Sequence, residues 1–244
     1  MVEVSVIVPT LKERDEIACI PCFERDEFTD YEVVVRDDEG ASRARNKAIE
    51  EADAEKLVFL DDDSYPMRGY LREASAVLDE EAAVAGRIIH PYDDIFDKFT
   101  HYYDHGDEPR YVDNLVGCNM ALRREVFETV GGFDEDFSWG HEESELAYRV
   151  AKAYDIYYEP DLQVRHCYAE SVLGLWKKHY DLETQRSTYW DKKNLPKAEQ
   201  FLRLAWWLLD PRFYVGDSIP HTAVKIGAHM AGNLGILKGL IENR

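Results

Sequence analysis

At 244 residues and 28.3 kDa the chain lies at the upper edge of a single domain and is long enough to bury a full core. Its 29 Lys+Arg against 49 Asp+Glu give a formal net charge of −20 and a pI ≈ 4.7. That balance excludes nucleic-acid binding through a general basic surface and counts against electrostatic adsorption to anionic lipid. Hydrophobic residues at 45% and aromatics at 12% supply too much core material for disorder, so a compact, very acidic enzyme or binding domain remains.

Val4-Ser5-Val6-Ile7-Val8 is a continuous apolar run, as expected of a strand buried on both faces, and Pro9-Thr10 ends it. A polar helical stretch follows, in which Cys19 and Cys22 form a Cys-x-x-Cys. No second pair stands at zinc-ligand spacing, so these two read as half-buried structural thiols. Glu32-Val33-Val34-Val35 is the second strand. After it Ser42 is a plausible N-cap for a helix carrying Ala44, Ala48, Ile49 and Ala52. Leu57-Val58-Phe59-Leu60 is the third strand and runs directly into Asp61-Asp62-Asp63. The alternation of strand and helix predicts an α/β fold with a parallel sheet. In such sheets ligands bind beyond the carboxyl ends of the strands, where Thr10, Asp37, Asp38 and Asp61 to Asp63 all fall.

Residues 86–110 lose periodicity and read as a surface connection or lid, rich in Tyr and Asp, with His90, His101 and His105. Leu115 to Leu122 is a short apolar segment leading into a helix from Arg123, and Gly131-Gly132-Phe133-Asp134 is a turn signal. A helix over Glu145 to Ala153 carries a Glu145–Arg149 pair at i,i+4. Ile156 to Tyr158 and Leu162 to Arg165 read as two short strands turned at Pro160-Asp161. Phe201 to Leu209 is dense in Leu and Trp, and His221 to Ile241 mixes apolar residues with glycine.

Three adjacent aspartates after a buried strand raise one another's pKa unless a cation or solvent meets them. Asp61 and Asp63 face the same way if strand geometry persists, and two such carboxylates suit Mg²⁺ or Mn²⁺ with phosphate oxygens as remaining ligands. A solvated acidic turn is the alternative. Phe59 to Asp63, Ala44-Arg45-Asn46, Gly117 to Phe127, Val130 to Asp134 and Trp139 to Arg149, with the opening Val6 to Thr10, together resemble the family 2 glycosyltransferases. These blocks span about residues 2 to 170 in family order.

The resemblance implies a GT-A fold, a Rossmann-like, mixed, mostly parallel sheet flanked by helices, with a helical C-terminal extension. The implied division is a transferase domain over 1–198, with a nucleotide-binding half (1–85) and an acceptor-side half (86–198), and an extension over 199–244. It implies that Asp61 and Asp62 lie at the nucleotide sugar, that Asp63, Asp61 and a late histidine, His166, hold Mn²⁺ or Mg²⁺, and that Asp37 or Asp38 accepts a hydrogen bond from the base. Thr10 would line the same pocket, Arg43 or Arg45 would meet nucleotide or phosphate, and Asn119 and Trp139 would fall on the acceptor side. The family carries Glu-Asp where this chain has Glu142-Glu143, which makes Glu143 the candidate general base and Glu142 the substitute. Plain structural roles stand beside these: a histidine in the fold, helix-surface groups at Arg45 and Asn46, and first-turn acids that favour the helix dipole at Glu142, Glu143 and Glu145.

The reading is a metal-dependent, inverting transfer from a nucleoside-diphosphate sugar, UDP ahead of GDP, to the hydroxyl of a glycan or lipid-linked acceptor. A nucleotidyltransferase and an inactive sugar-nucleotide binding protein are the alternatives. The former usually has a glycine-rich phosphate loop where this chain has Leu11 to Asp15. No secretory segment is seen, so a reduced, cytoplasmic setting is expected. Trp206, Trp207 and the neighbouring leucines either cover the sheet or form an interfacial helix at the inner face of the cell membrane. The remaining acid excess, with few lysines, reads as a surface adapted to high salt.

Overall fold

The structure is a computed structural model and describes residues 2–100, 103–137 and 139–242; His101 lies outside them. The strands are β1 (Val4–Pro9), β2 (Tyr31–Arg36), β3 (Lys56–Phe59), β4 (Tyr65–Pro66), β5 (Ala83–Ile89), β6 (Arg110–Val112), β7 (Met120–Arg123) and β8 (Ile156–Arg165). The helices are α1 (Ile20–Phe23), α2 (Ala41–Glu51), α3 (Tyr70–Glu80), α4 (Arg124–Val130), α5 (Glu142–Val150), α6 (Val172–Thr184), α7 (Arg186–Lys192), α8 (Lys197–Leu209) and α9 (Ile219–Glu242).

The sheet runs β2-β1-β3-β7-β5-β8-β4, with β6 paired to β8. β1, β2, β3, β5 and β8 point one way; β7, β4 and β6 run against them. The apolar run of β1 divides between two faces. Val4, Val6 and Val8 pack with Ile17, Phe23, Tyr70 and Leu71, while Ile7 packs with Leu57, Phe59, Met120 and Leu146. Each such buried side chain contributes about 1.5–3 kcal/mol, and the polar Ser5 of β1 is buried with its hydroxyl donating to Glu32 and accepting from Ala54 N–H.

Several local expectations change. Gly40, at φ +92°, precedes α2, and Ser42 lies inside the helix, buried. A left-handed residue makes the turn there that an L side chain at Ser42 was expected to cap. The stretch between β1 and β2 forms a 3-10 turn at Arg14–Glu16 and the four-residue α1 instead of one helix. Gly86 to Ile89 belongs to β5, so the irregular connection starts later than expected. Arg123 ends β7, and the helix starts at Arg124. β8 is one ten-residue strand; Pro160 and Asp161 fall in a bulge, where the partners of Gly86 and Arg87 jump from Glu159 to Gln163. An extra loop of strand absorbs the proline's missing N–H.

By contacts the chain forms two compact units, residues 1–135 with 142–167, and residues 136–141 with 168–244; the 198/199 division lies inside the second. In that second unit α6 and α9 pair through glycine. A Cβ at Gly235 or Gly239 would strike the carbonyls of Tyr180 and Thr184, and one at Gly227 would strike the Trp176 ring. Trp190, Leu204, Ile236 and Leu240 make its core, with Trp207 packed against them. Trp206 is 52% exposed. Among the described residues Cys19, Cys22, Cys118 and Cys167 form no disulfide, and burial pushes the Cys19 thiol up to about 12. Among the described residues no helix is long and apolar enough to cross a membrane.

Candidate active site

Strand ends build the site. Leu60 N–H donates to Ile7 O at 3.1 Å, carrying β3 one residue further, and His166 N–H donates to Ile89 O at 3.1 Å, tying the end of β8 to β5. The three aspartates then alternate as a strand would. Asp61 and Asp63 both face His166, whereas Asp62 accepts from the Thr10 hydroxyl and from Lys12 Nζ at 2.5 Å. Thr10 and Asp62 are therefore bonded to each other at the rim of the proposed nucleotide pocket.

His166 Nε2 lies 3.2 Å from Asp63 Oδ1. Burial lifts Asp63, but the His166 hydrogen bond and charge prevail and hold it below its ordinary value. Burial raises Asp61, against the pull of Arg45 and His166. One ligand atom each from Asp61, Cys118 and His166 lies within 4.8 Å of the other two. That is the spacing of atoms that share one cation, and oxygen, sulfur and nitrogen donors together suit a borderline ion such as Co²⁺ or Zn²⁺ better than Mg²⁺. Cys118 was not among the expected ligands. Its only sequence signal was its place in the Gly117 to Phe127 block, where a lone thiol has no spacing partner.

Arg45, on α2 and 4% exposed, joins two carboxylates: Nη1 donates to Glu142 Oε1 at 2.9 Å and Nη2 to Asp61 Oδ1 at 3.3 Å. Gly117 leaves room for it, since a Cβ there would sit 2.5 Å from Nη2. Arg45 thus belongs to the site's charge balance and not to the helix surface. Burial opposes ionisation of Glu142, yet the Arg45 charge holds it below the usual carboxylate range. Its neighbour on α5 behaves oppositely. Burial, then the adjacent Glu142 charge, pushes Glu143 up to about 8, and Asp61 adds to the rise. Among the described residues, Oε2 of each glutamate is buried without a hydrogen-bond partner.

The other expected residues lie as follows. Asp38 is held by Arg36 at 2.8 Å, which lowers its pKa, and Asp37 is exposed at the end of β2. Arg43 pairs with Glu135 at 3.0 Å. Trp139, 45% exposed and in the second unit, lines a cleft with Asp181, Thr184, Gln185 and Lys238. Asn119 departs from its expected acceptor role. It is 1% exposed, accepts from Tyr70 OH at 2.8 Å, and donates to Arg87 O and Leu162 O at 2.8 and 2.9 Å. A fully satisfied, buried amide is a clamp and has nothing left to offer a ligand.

Much of the remaining motif pattern is scaffold. Asn46 exchanges hydrogen bonds with the Phe133 backbone, and a Cβ on Gly132 would sit 2.5 Å from its Oδ1. Arg124 donates to the carbonyls of Ile49 and Ala52, at and just past the end of α2, and Arg123 to those of Leu78 and Asp79 at the end of α3.

Residues 23–131 match the family model described as Glycosyl transferase family 2, and residues 97–168 match that of the N-terminal domain of galactosyltransferase. A structure of Staphylococcus aureus TarS, residues 1–349, is similar over 93% of this chain and 78% of its own, with 16% identity and a TM-score of 0.57. A longer TarS structure is similar over 93% of this chain and 48% of its own, with 14% identity and a TM-score of 0.53, so the chain spans about half the length of that relative. No curated protein matches the chain in sequence. With its strand-end carboxylates and mixed sheet, the chain is similar to the family 2 glycosyltransferases over residues 23–131 and has a GT-A fold.

Proposed function

We propose that the chain moves a sugar from a nucleoside-diphosphate sugar, UDP ahead of GDP, to an acceptor hydroxyl on a glycan or lipid-linked glycan, with inversion at the anomeric carbon. The observation that carries this is the paired behaviour of Glu142 and Glu143. One carboxylate is fixed as an anion by a buried arginine, and the next has a raised proton affinity, feels the Asp61 charge, and among the described residues has an oxygen with no hydrogen-bond partner. That is the separation of roles by environment that acid–base catalysis needs.

Asp61 and His166 would hold the divalent ion, with Asp63 orienting His166. When bound, that ion supplies positive charge to the leaving diphosphate. Asp37 or Asp38 would accept from the base, with Thr10, Asp62 and Arg43 around the nucleotide. Arg45 keeps Asp61 and Glu142 together as anions. Glu143 takes the acceptor hydroxyl proton as that oxygen forms its bond to the anomeric carbon. The carbon–oxygen bond to the diphosphate breaks on the opposite face, and its electron pair leaves with the diphosphate. In Glu143→Gln, binding of UDP-sugar by calorimetry should persist while transfer falls about 10²- to 10⁴-fold; transfer at the wild-type rate would remove Glu143 from the role.

The second unit offers a contact with a lipid surface. Ile226, Met230, Leu234, Leu237 and Ile241 recur at helical spacing along α9, each 38% exposed or more, and Trp206 is exposed on α8. Residues 199–244 hold five Lys and Arg against four Asp and Glu, so the acid excess of the chain does not extend to them. We read this stripe as inserting into a bilayer interface by apolar burial and not by charge. Flotation should occur with zwitterionic vesicles, withstand salt, and be lost in Leu234→Lys/Leu237→Lys. Binding that needs anionic lipid and dissolves in salt would contradict it.

A further inference from the structure

Cys118 stands apart from the other thiols. Cys19 and Cys22 sit at α1 with their pKa values raised, chiefly by burial, whereas Cys118 places its sulfur among Asp61 and His166. The backbone that carries it is held on every side. Asn119 N–H donates to Val116 O at 3.0 Å, Ser64 hydroxyl to Cys118 O at 3.3 Å, and Gly86 N–H to Asn119 O at 3.1 Å. Asn119 adds its three side-chain bonds to Tyr70, Arg87 and Leu162, and Gly117 lies against the Arg45 guanidinium. A packing cysteine needs no such clamp. Side chains that must present a donor atom to a cation are fixed this way by the groups behind them.

Resting on the reading of a divalent ion at Asp61 and His166, we infer that Cys118 is its third protein ligand and makes the site selective for thiolate-tolerant ions over Mg²⁺. Mg²⁺ demands hard oxygen donors and sheds water reluctantly, while Co²⁺ and Zn²⁺ accept mixed oxygen, nitrogen and sulfur sets. Asn119 is then a positioning residue, acting through the turn that aims the sulfur.

The test is optical and needs no sugar. The reduced full-length protein, freed of metal, is titrated with Co²⁺, and thiolate-to-cobalt charge-transfer absorption is recorded. The band should appear in the wild type and in Cys167→Ser, which controls for the thiol next to His166. Cys118→Ser, checked for native circular dichroism, should bind Co²⁺ at least about tenfold more weakly and without the band. Excess Mg²⁺ should fail to displace Co²⁺ from the wild type. Co²⁺ bound by the wild type with no charge-transfer band, or a band that survives in Cys118→Ser, overturns the sulfur ligand and leaves the metal site standing. No Co²⁺ binding at all overturns both. Absence of the band from the wild-type and Cys167→Ser spectra overturns the sulfur ligand even where Cys118→Ser fails to fold.

Discussion

The carboxyl end of the sheet and the α6–α9 helix pair solve opposite packing problems. At the sheet end, Arg45, Glu142 and Asn119 are polar side chains drawn out of water, and the Arg45 charge is met by Glu142 and by the part-exposed Asp61. In the helix pair the backbones themselves meet, because Gly235 and Gly239 leave nothing between α9 and the carbonyls of α6, and a stripe of apolar side chains from Ile226 to Ile241 is turned outward while Ile236 and Leu240 are buried. The first arrangement is expensive to damage by removing a charge. The second is expensive to damage by adding a single carbon. The two regions therefore fail under different substitutions, which gives the comparison its tests.

The largest effect belongs to Arg45. Replacing it with Met leaves Glu142 buried without its counter-charge and takes a partner from the part-exposed Asp61, a loss on the order of 3–5 kcal/mol. Urea unfolding should show a midpoint shift of that size. A shift below about 1 kcal/mol would mean that water reaches the pair and the cluster is not buried.

Glu143 comes next and runs the other way. Its carboxyl has a folded pKa of about 8 against an ordinary 4.5, so the folded state binds the proton more tightly than the unfolded chain. The stability this group contributes is complete below pH 4.5 and is lost as pH rises through 8. Glu143→Gln removes the loss, and at pH 9 it should unfold about 2–4 kcal/mol less readily than the wild type while matching it at pH 5. Parallel pH profiles for the two proteins would show Glu143 to be solvated.

Gly235→Ala measures the helix pair. In an exposed helix the change stabilises by about 0.5–1 kcal/mol. Here the added methyl meets the Tyr180 carbonyl, so the sign reverses to a loss of about 1–3 kcal/mol. Hydrogen exchange should quicken in α6 and α9. On the outer face, Leu234→Lys should stay within about 0.5 kcal/mol of wild type.

How much of this could be read from the chain differs by region. The apolar runs of β1, β2 and β3 and the acidic triplet after β3 place the sheet and its working end, because a parallel strand buried on both faces has one appearance in sequence. The polar clamps were opaque. Nothing in Asn119 marks it as bonded to Tyr70, 49 positions away, and the motif that contains it looked like ligand-binding sequence. Cys118 was hidden for the same reason, since its partners come from two other strand ends. Gly40 displaced the Ser42 cap because left-handed backbone takes precedence over a side-chain oxygen. In α9 the glycines were visible, but which face they serve depends on α6.

The last test concerns the charge itself. Of the 49 acids, few enter the site, and those are neutralised by partners such as Arg45 and His166. The others sit on a surface where repulsion between like charges acts over a Debye length of about 8–10 Å and collapses to about 3 Å in molar salt. Since 199–244 carries five basic and four acidic residues, the excess, and with it the repulsion, belongs to 1–198. Molar KCl should therefore raise the unfolding midpoint of the whole chain by screening. It should leave the Arg45→Met deficit largely unchanged, because Arg45 and Glu142, whose pairing dominates it, are 4% and 6% exposed. A stability that is flat in KCl would remove the high-salt reading of the surface, and a deficit that shrinks with KCl would show the buried cluster to be open to solvent.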